Sequence, residues 1–145
     1  MRSPWPERRR IVVLVLAAAL LPVAGPSVAG GQPPILLDDL SQMPAARPVT
    51  FTVTSTVALS GLRWSNWGAP TATARGSLGI NTCRPDCAQG RVRVLPGAEL
   101  QVQGVRIDQG LRYYGQYRIL DQAFSPEDRA QYSRWTKAYV PSDFR

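Results

Sequence analysis

An alternation of apolar and polar side chains over residues 49–59, interrupted at Ser55, limits most strongly what this chain can fold into. The segment reads VTFTVTSTVAL, with Val, Phe and Leu at one parity and threonine at the other. Because successive side chains of a β-strand point to opposite faces of a sheet, this period of two predicts a half-buried strand. The β-branched residues at both parities favour the same structure.

Five shorter segments of similar pattern follow, at residues 62–67, 72–80, 91–95, 99–107 and 111–119. Turn-forming residues separate them, notably Ser60-Gly61, Pro96-Gly97 and Asp108-Gln109-Gly110, and Gly104 predicts a kink. Six short strands predict an all-β domain over residues 49–120, a small antiparallel sandwich or barrel. In the last three strands, strand parity predicts these inward side chains: Val92, Val94, Val105, Ile107, Leu111, Tyr113, Tyr117 and Ile119.

The first 29 residues are interpreted as a cleaved signal peptide. Three arginines at positions 8–10 precede an apolar run over residues 11–21, and small residues at 27–29 offer a cleavage site. The run is shorter than the roughly 20 residues that span a bilayer, so no membrane span is expected after cleavage. The remaining chain is one domain in size and is expected to be secreted or held in the cell envelope.

Two segments flank the predicted β domain. Residues 30–48 are rich in proline and small residues and are expected to form a flexible leader, with solvated acids at 38–39. Residues 121–145 form a tail. The sequence Ser-Pro-Glu-Asp at positions 125–128 is typical of a helix start, which predicts a short C-terminal helix ending near Tyr139.

The cysteine content argues against metal and redox chemistry. The chain has two cysteines, Cys83 and Cys87, and no histidine. A metal site needs about four ligands, and the C-x3-C spacing differs from the C-x-x-C of redox centres. Neighbouring thiols of an exported protein usually pair. We therefore expect a structural disulfide that shapes a loop, no metal and no cofactor.

The positive charge is smaller than the whole chain suggests. The formal net charge is +7, but four arginines and one glutamate lie in residues 1–29, so +4 remains after cleavage. A charge of this size favours solubility and mild attraction to anionic polymers. It does not indicate nucleic-acid binding.

A recurring pattern surrounds the cysteines. It reads W-x-x-W-G, an alternating Ala/Thr/Gly strand, N-x-C-x-P-x-C-A-x-G, a valine-rich strand and a last strand with tyrosines. It resembles a group of small exported actinobacterial proteins of unknown function. The resemblance covers residues 62–120 and implies an exported β domain, with no activity attached. Its fixed positions here are Trp64, Trp67, Gly68, Asn81, Cys83, Pro85, Cys87, Ala88 and Gly90.

The aromatic residues allow two interpretations. Trp64 and Trp67, with Tyr113, Tyr114 and Tyr117, could form a platform on which sugars stack. Alternatively, each tryptophan fills the core of a small β domain, where one large ring replaces several aliphatic side chains. The platform would make the protein a carbohydrate-binding module, which is the alternative functional hypothesis.

Arginines form the second candidate site. Five of them fall at outward parity in three successive predicted strands, with Tyr114 among them. Guanidinium groups bind phosphates and carboxylates bidentately, so such a face would suit an anionic envelope polymer. An ordinary solvated sheet face is the other interpretation. The five are Arg91, Arg93, Arg106, Arg112 and Arg118.

Enzymatic chemistry has little support in the sequence. Without histidine there is no Ser-His or Cys-His pair, and no glycine-rich phosphate loop is present. Paired carboxylates of the glycosidase kind remain possible from Glu99, Asp108 and Asp121, which gives a hydrolase as a third and less favoured hypothesis. The leading prediction is therefore a non-enzymatic exported domain of the cell envelope with a binding role.

Overall fold

The computed structural model describes Gly25 and residues 31–145, and Gln32–Arg145 form one compact unit. The predicted signal peptide lies outside the described residues. Within the described part of the chain, no helix is both long enough and apolar enough to cross a membrane.

Six antiparallel strands form one sheet that curls into a half-barrel, in the order β1-β2-β3-β4-β5-β6. The predicted all-β antiparallel fold with a short C-terminal helix is confirmed. The helix α1 (Pro126–Tyr132) and a 3-10 turn (Pro141–Phe144) lie in the tail. The strands are β1 (Phe51–Thr54), β2 (Val57–Ser65), β3 (Thr71–Asn81), β4 (Val92–Asp108), β5 (Leu111–Leu120) and β6 (Thr136–Lys137).

The core lies inside the curl of the sheet. The ring of Phe51 in β1 meets the ring of Tyr117 in β5 edge to face, 4.9 Å between centroids, so the curl brings the first and fifth strands together. Side chains at one parity of β3 are buried, as the alternation of residues 72–80 predicts. Fully buried residues on this inner side include Leu59, Ala72, Ala74, Leu78, Leu100, Val102 and Ile119.

The predicted division into strands is wrong at three places. Residues 49–59 form not one strand but a hairpin, because the chain turns after Thr54, where its hydroxyl accepts a hydrogen bond from the Thr56 amide. Conversely, neither Ser60-Gly61 nor Pro96-Gly97 ends a strand. Both pairs lie at register shifts inside β2 and β4, where an irregularity lets a strand bend and continue.

These shifts explain why strand parity misplaces several side chains. The irregularity near Pro96 reverses the parity of β4, so Leu95 is buried while Val92 and Val94 are 59% and 57% exposed. Farther along, Gly104 has a φ of 69°, in agreement with its predicted kink. In β4 the parity of buried Leu100 and Val102 continues past Gly104 with no register shift against β5, which places Val105 and Ile107 on the outer side. In β5 the alternation fails, since three consecutive residues from Tyr113 to Gly115 are buried. Predicted inward side chains that are exposed there are Val105, Ile107 and Leu111.

The predicted flexible leader is part of the fold from Ile35 onward. Ile35 and Leu37 are buried, and the Leu36 amide and carbonyl bond to the backbone of β5. Asp39 then accepts a hydrogen bond from the Thr52 amide, which ties the segment to β1. The segment thus covers the outer edge of β1, an edge that would otherwise offer unpaired backbone groups. Its apolar residues are too few to be recognised as a core segment from composition alone.

The C-terminal helix is shorter than predicted. Its start is confirmed: Ser125 accepts from the Asp128 amide, and Asp128 accepts from the Ser125 amide, both at 3.1 Å. It ends at Tyr132, since the next residue, Ser133, donates its hydroxyl to the Ile119 carbonyl of β5. The chain then pairs with β5 as β6, where the expected helix would have continued.

Cys83 and Cys87 form a disulfide at the tip between β3 and β4, with Cα atoms 3.8 Å apart. Asn81 also closes this loop: its amide group donates to the Cys87 carbonyl at 2.8 Å, and its carbonyl oxygen accepts from the Cys83 amide at 2.9 Å. The loop is therefore held closed in two independent ways, by the disulfide and by the hydrogen bonds of Asn81.

Replacing both cysteines by serine is expected to leave the sheet folded. The free energy of unfolding should fall by no more than about 2 kcal/mol, because so short a closed loop restricts the unfolded chain little. Urea denaturation followed by tryptophan fluorescence measures this. Loss of cooperative unfolding in the double variant would show that the disulfide holds the domain together.

Candidate binding surface

The two tryptophans of the predicted aromatic platform are packed against the core instead. The rings of Trp64 and Trp67 meet edge to face at 4.6 Å, and Trp67 meets Tyr114 in the same way at 5.1 Å. Both indole N–H groups are used, by the carbonyls of Pro48 at 2.7 Å and Ile35 at 3.1 Å. Rings packed edge to face, with their N–H groups hydrogen-bonded, do not offer a flat stacking surface.

The three tyrosines are also unavailable as a platform. Tyr114 is fully buried, and its hydroxyl accepts from the Gly68 amide at 2.9 Å and donates to the Ala69 carbonyl at 2.8 Å. Burial raises the pKa of Tyr114 and of Tyr117, which packs on Phe51. Tyr113 is buried as well. The core interpretation of the aromatic residues therefore holds, and the predicted outward position of Tyr114 is wrong.

The five predicted arginines do not share a face. In the register of the sheet, Arg93 lies opposite Ile80, at the parity of the buried side chains, and reaches Asp128 of α1 at 2.7 Å. Arg106 contacts Asp143 of the 3-10 turn at 3.4 Å. These two acids come from the tail, which is why the strands alone suggested uncompensated charge.

The tail acids hold these contacts as carboxylates. Hydrogen bonds from Lys137 and the Val140 amide, with the charge of Arg106, lower the pKa of Asp143. Partial burial acts against ionisation of Asp128, but its bonds with Arg93 and the Ser125 backbone lower its pKa overall. Both arginines are therefore engaged at neutral pH.

The other three arginines have separate surroundings. Arg112 donates to the Pro33 carbonyl of the leader at 2.6 Å. Arg91 is exposed beside the disulfide loop, before β4 begins. Arg118 lies in β5, where its Nε donates to the side-chain oxygen of Gln101 at 2.8 Å. Of the five arginines, only Arg118 lies where β3, β4 and β5 pair side by side without a register shift, with polar side chains on the neighbouring strands.

The surroundings of Arg118 form a polar patch on the outer side of the sheet. Strand register places Thr73, Gln101 and Arg118 side by side, and Thr71, Gln103 and Gln116 in the next row. The Gln103 amide donates to the Gln116 oxygen at 3.0 Å. With Trp135, which precedes β6, we call this patch the glutamine surface: Thr71, Thr73, Gln101, Gln103, Gln116, Arg118 and Trp135.

Trp135 fixes the guanidinium group of Arg118. The guanidinium carbon lies 4.5 Å from the centroid of the indole ring, the arrangement of a cation–π contact. Among residues 31–145, only the Nε of this guanidinium has a hydrogen-bond partner, so its two terminal nitrogens are available to a ligand. A guanidinium group held in this way can bind a carboxylate or phosphate through two parallel hydrogen bonds.

The three candidate carboxylates lie in two separate places. Glu99 and Asp121 line an open groove of about 770 Å³ together with Arg75 and Arg129. Glu99 is already engaged there by Arg75 at 3.3 Å. Asp108 lies at the other end of β4, where the Ser142 hydroxyl and amide lower its pKa.

Asp38 and Asp39 are buried rather than solvated. Burial raises the pKa of Asp38, whose Oδ2 has no hydrogen-bond partner within the described part of the chain. Residues 31–145 contain no group of three or more side chains suited to hold a metal ion. Of the two acids, Asp39 fastens the leader to β1 through the Thr52 amide.

Comparison with known family models, with curated proteins and with solved structures finds no match to this chain. The resemblance of residues 62–120 to exported actinobacterial proteins stays a prediction. The geometry of the glutamine surface is therefore the basis for the function proposed below.

The sequence analysis did not identify most of the glutamine surface, although two of its residues could have been predicted. Gln101 and Gln103 alternate with buried Leu100 and Val102, so their outward position follows from a period of two. Trp135 could not be found this way, because it lies where the sequence predicts a helix.

Proposed function

We propose that this chain is an exported, non-enzymatic domain that binds acidic polysaccharides of the cell envelope through the glutamine surface. The observation that carries this proposal is the Arg118 guanidinium, stacked on Trp135 with both terminal nitrogens free of partners within residues 31–145. A side chain ordered before binding loses little conformational entropy when the ligand arrives.

The neighbouring groups suit a sugar chain that carries carboxylates. Each glutamine amide has two N–H donors and a carbonyl acceptor, and part of this capacity is used by Glu99, by Arg118 and between Gln103 and Gln116. The N–H groups and oxygen lone pairs that remain match sugar hydroxyl groups. The amides of Gln101, Gln103 and Gln116 extend over two adjacent strands beside the cation. A sugar chain could place a carboxylate on Arg118 and its hydroxyl groups on the glutamine amides. A polymer of phosphates alone would match the cation but leave the amides without suitable partners.

Replacing Arg118 by glutamine is expected to weaken binding of a uronic-acid oligosaccharide about 10- to 100-fold. Hydrogen bonds to a charged group contribute about 1.5–3 kcal/mol, and each 1.4 kcal/mol is tenfold in affinity. Isothermal titration at two salt concentrations measures the loss. Binding to the wild-type chain should also weaken at higher salt, because exposed charges are screened within about 10 Å at 0.1 M.

Arg91→Gln is the matched control, since it removes the same charge from an exposed site away from the glutamine surface. It should change the affinity by less than about threefold, an effect of net charge alone. Equal losses in the two variants would mean that the oligosaccharide responds to overall charge, and the proposed site would be wrong.

A further inference from the structure

The first part of β4 has a neighbouring strand on one side only. It pairs with β3 from Val92 onward, whereas β5 joins its other side only from Glu99. Helix α1 approaches this region through the contact of Asp128 with Arg93 and does not pair with the strand. Residues 92–97 therefore form a free strand edge within the described part of the chain.

The backbone groups on that edge can be assigned from the hydrogen bonds around the loop. The Thr82 amide donates to the Arg91 carbonyl at 2.9 Å, so residue 91 faces β3. Peptide groups of an antiparallel strand alternate between its two sides. Residues 93 and 95 then also face β3, while the N–H and C=O groups of Val92 and Val94 point to the free side.

The side chains of this edge indicate what it would bind. Val92 and Val94 are more than half exposed, on an outer strip shared with Ala58 and Gly79 of the neighbouring strands. The stretch 91–97 contains two charged residues, Arg91 and Arg93. Arg93 is paired with Asp128, which leaves Arg91 as the exposed cation of this stretch. The edge thus combines outward backbone groups, apolar side chains and positive charge.

We propose that the edge formed by Val92 and Val94 receives an extended acidic peptide segment as an additional β-strand. Backbone hydrogen bonds would hold the segment, its apolar side chains would cover the two valines, and acids would face Arg91. A second copy of the chain fits less well, because it would bring the Arg91 side chains of both copies to the same pair of strands, and like charges on adjacent strands are destabilising. This surface is separate from the glutamine surface.

The test uses the full chain and two capped hexapeptides, one alternating glutamate with valine and one alternating lysine with valine. Fluorescence anisotropy should show binding of the glutamate peptide at least tenfold tighter than that of the lysine peptide. Amide hydrogen exchange of the wild-type chain should slow at Val92 and Val94 when the glutamate peptide binds, because their N–H groups become bonded.

Val94→Pro removes the outward N–H and is expected to reduce the affinity for the glutamate peptide at least tenfold. Proline is tolerated at a free strand edge, and Pro96 already lies in this stretch. Val94→Thr is the matched control, because threonine has nearly the same shape as valine and keeps the backbone N–H. This variant should bind the glutamate peptide within threefold of wild type. The wild-type exchange experiment gives an answer even if the proline variant does not fold.

Three results would overturn the proposal. One is equal affinity of the proline and threonine variants for the glutamate peptide. Another is binding without protection of the Val92 and Val94 amides, which would indicate charge attraction alone. The third is a concentration-dependent dimer in sedimentation that Val94→Pro abolishes, which would assign the edge to a second copy of the chain.

Discussion

Replacing Leu37 by alanine is expected to lower the free energy of unfolding by about 2–5 kcal/mol. Leu37 is 2% exposed, and truncating a fully buried leucine costs its transfer energy and leaves a cavity. The effect is large because the same segment joins β5, through Leu36, to β1, through Asp39. Urea denaturation of the variant and the wild-type chain measures the difference.

Leu40→Ala is the matched control within the same segment. Leu40 is 37% exposed, and removal of a partly exposed side chain should cost less than about 1 kcal/mol. If the two variants were equally stable, residues 35–40 would not be part of the folded core, and the sequence-based expectation of a flexible leader would stand.

Replacing Tyr114 by phenylalanine is expected to lower the free energy of unfolding by about 1–3 kcal/mol. The change removes only the hydroxyl, but it leaves the Gly68 amide and the Ala69 carbonyl without their partner in a buried place. An unsatisfied buried polar group costs about this much. Thermal unfolding followed by circular dichroism would detect the loss as a lower midpoint.

Tyr113→Phe provides the comparison from the adjacent residue. Tyr113 is also buried, yet its hydroxyl has no hydrogen-bond partner within residues 31–145. Its removal should therefore change the stability by less than about 0.5 kcal/mol. A larger loss for Tyr113 than for Tyr114 would contradict the assigned hydrogen bonds of the turn between β2 and β3.

The sequence predicts the fold well wherever a strand is regular. The alternation of residues 72–80 corresponds to β3, and its buried parity is correct. The prediction fails at irregularities, because one extra residue in a strand moves every later side chain to the other face. Relative to buried Leu100 and Val102, the shift near Pro96 places Val92 and Val94 on the outer face, where the prediction did not expect them.

The candidate site was harder to predict than the fold. The partners of Arg93 and Arg106 are Asp128 and Asp143, which lie 35 and 37 residues away in the chain. Likewise, Trp135 reaches Arg118 only because β6 pairs with β5. Contacts of this kind depend on how the tail folds back, and no local pattern in the strands encodes them.

Binding of acidic polysaccharide to the glutamine surface is tested most directly by side-chain NMR of the full chain during titration with a uronic-acid oligosaccharide. We expect progressive shifts of the amide groups of Gln101, Gln103 and Gln116, of Arg118 Nε–H and of the Trp135 indole. A neutral oligosaccharide of equal length should cause much smaller shifts. Shifts centred on Arg91, or spread evenly over all arginines, would contradict the claim.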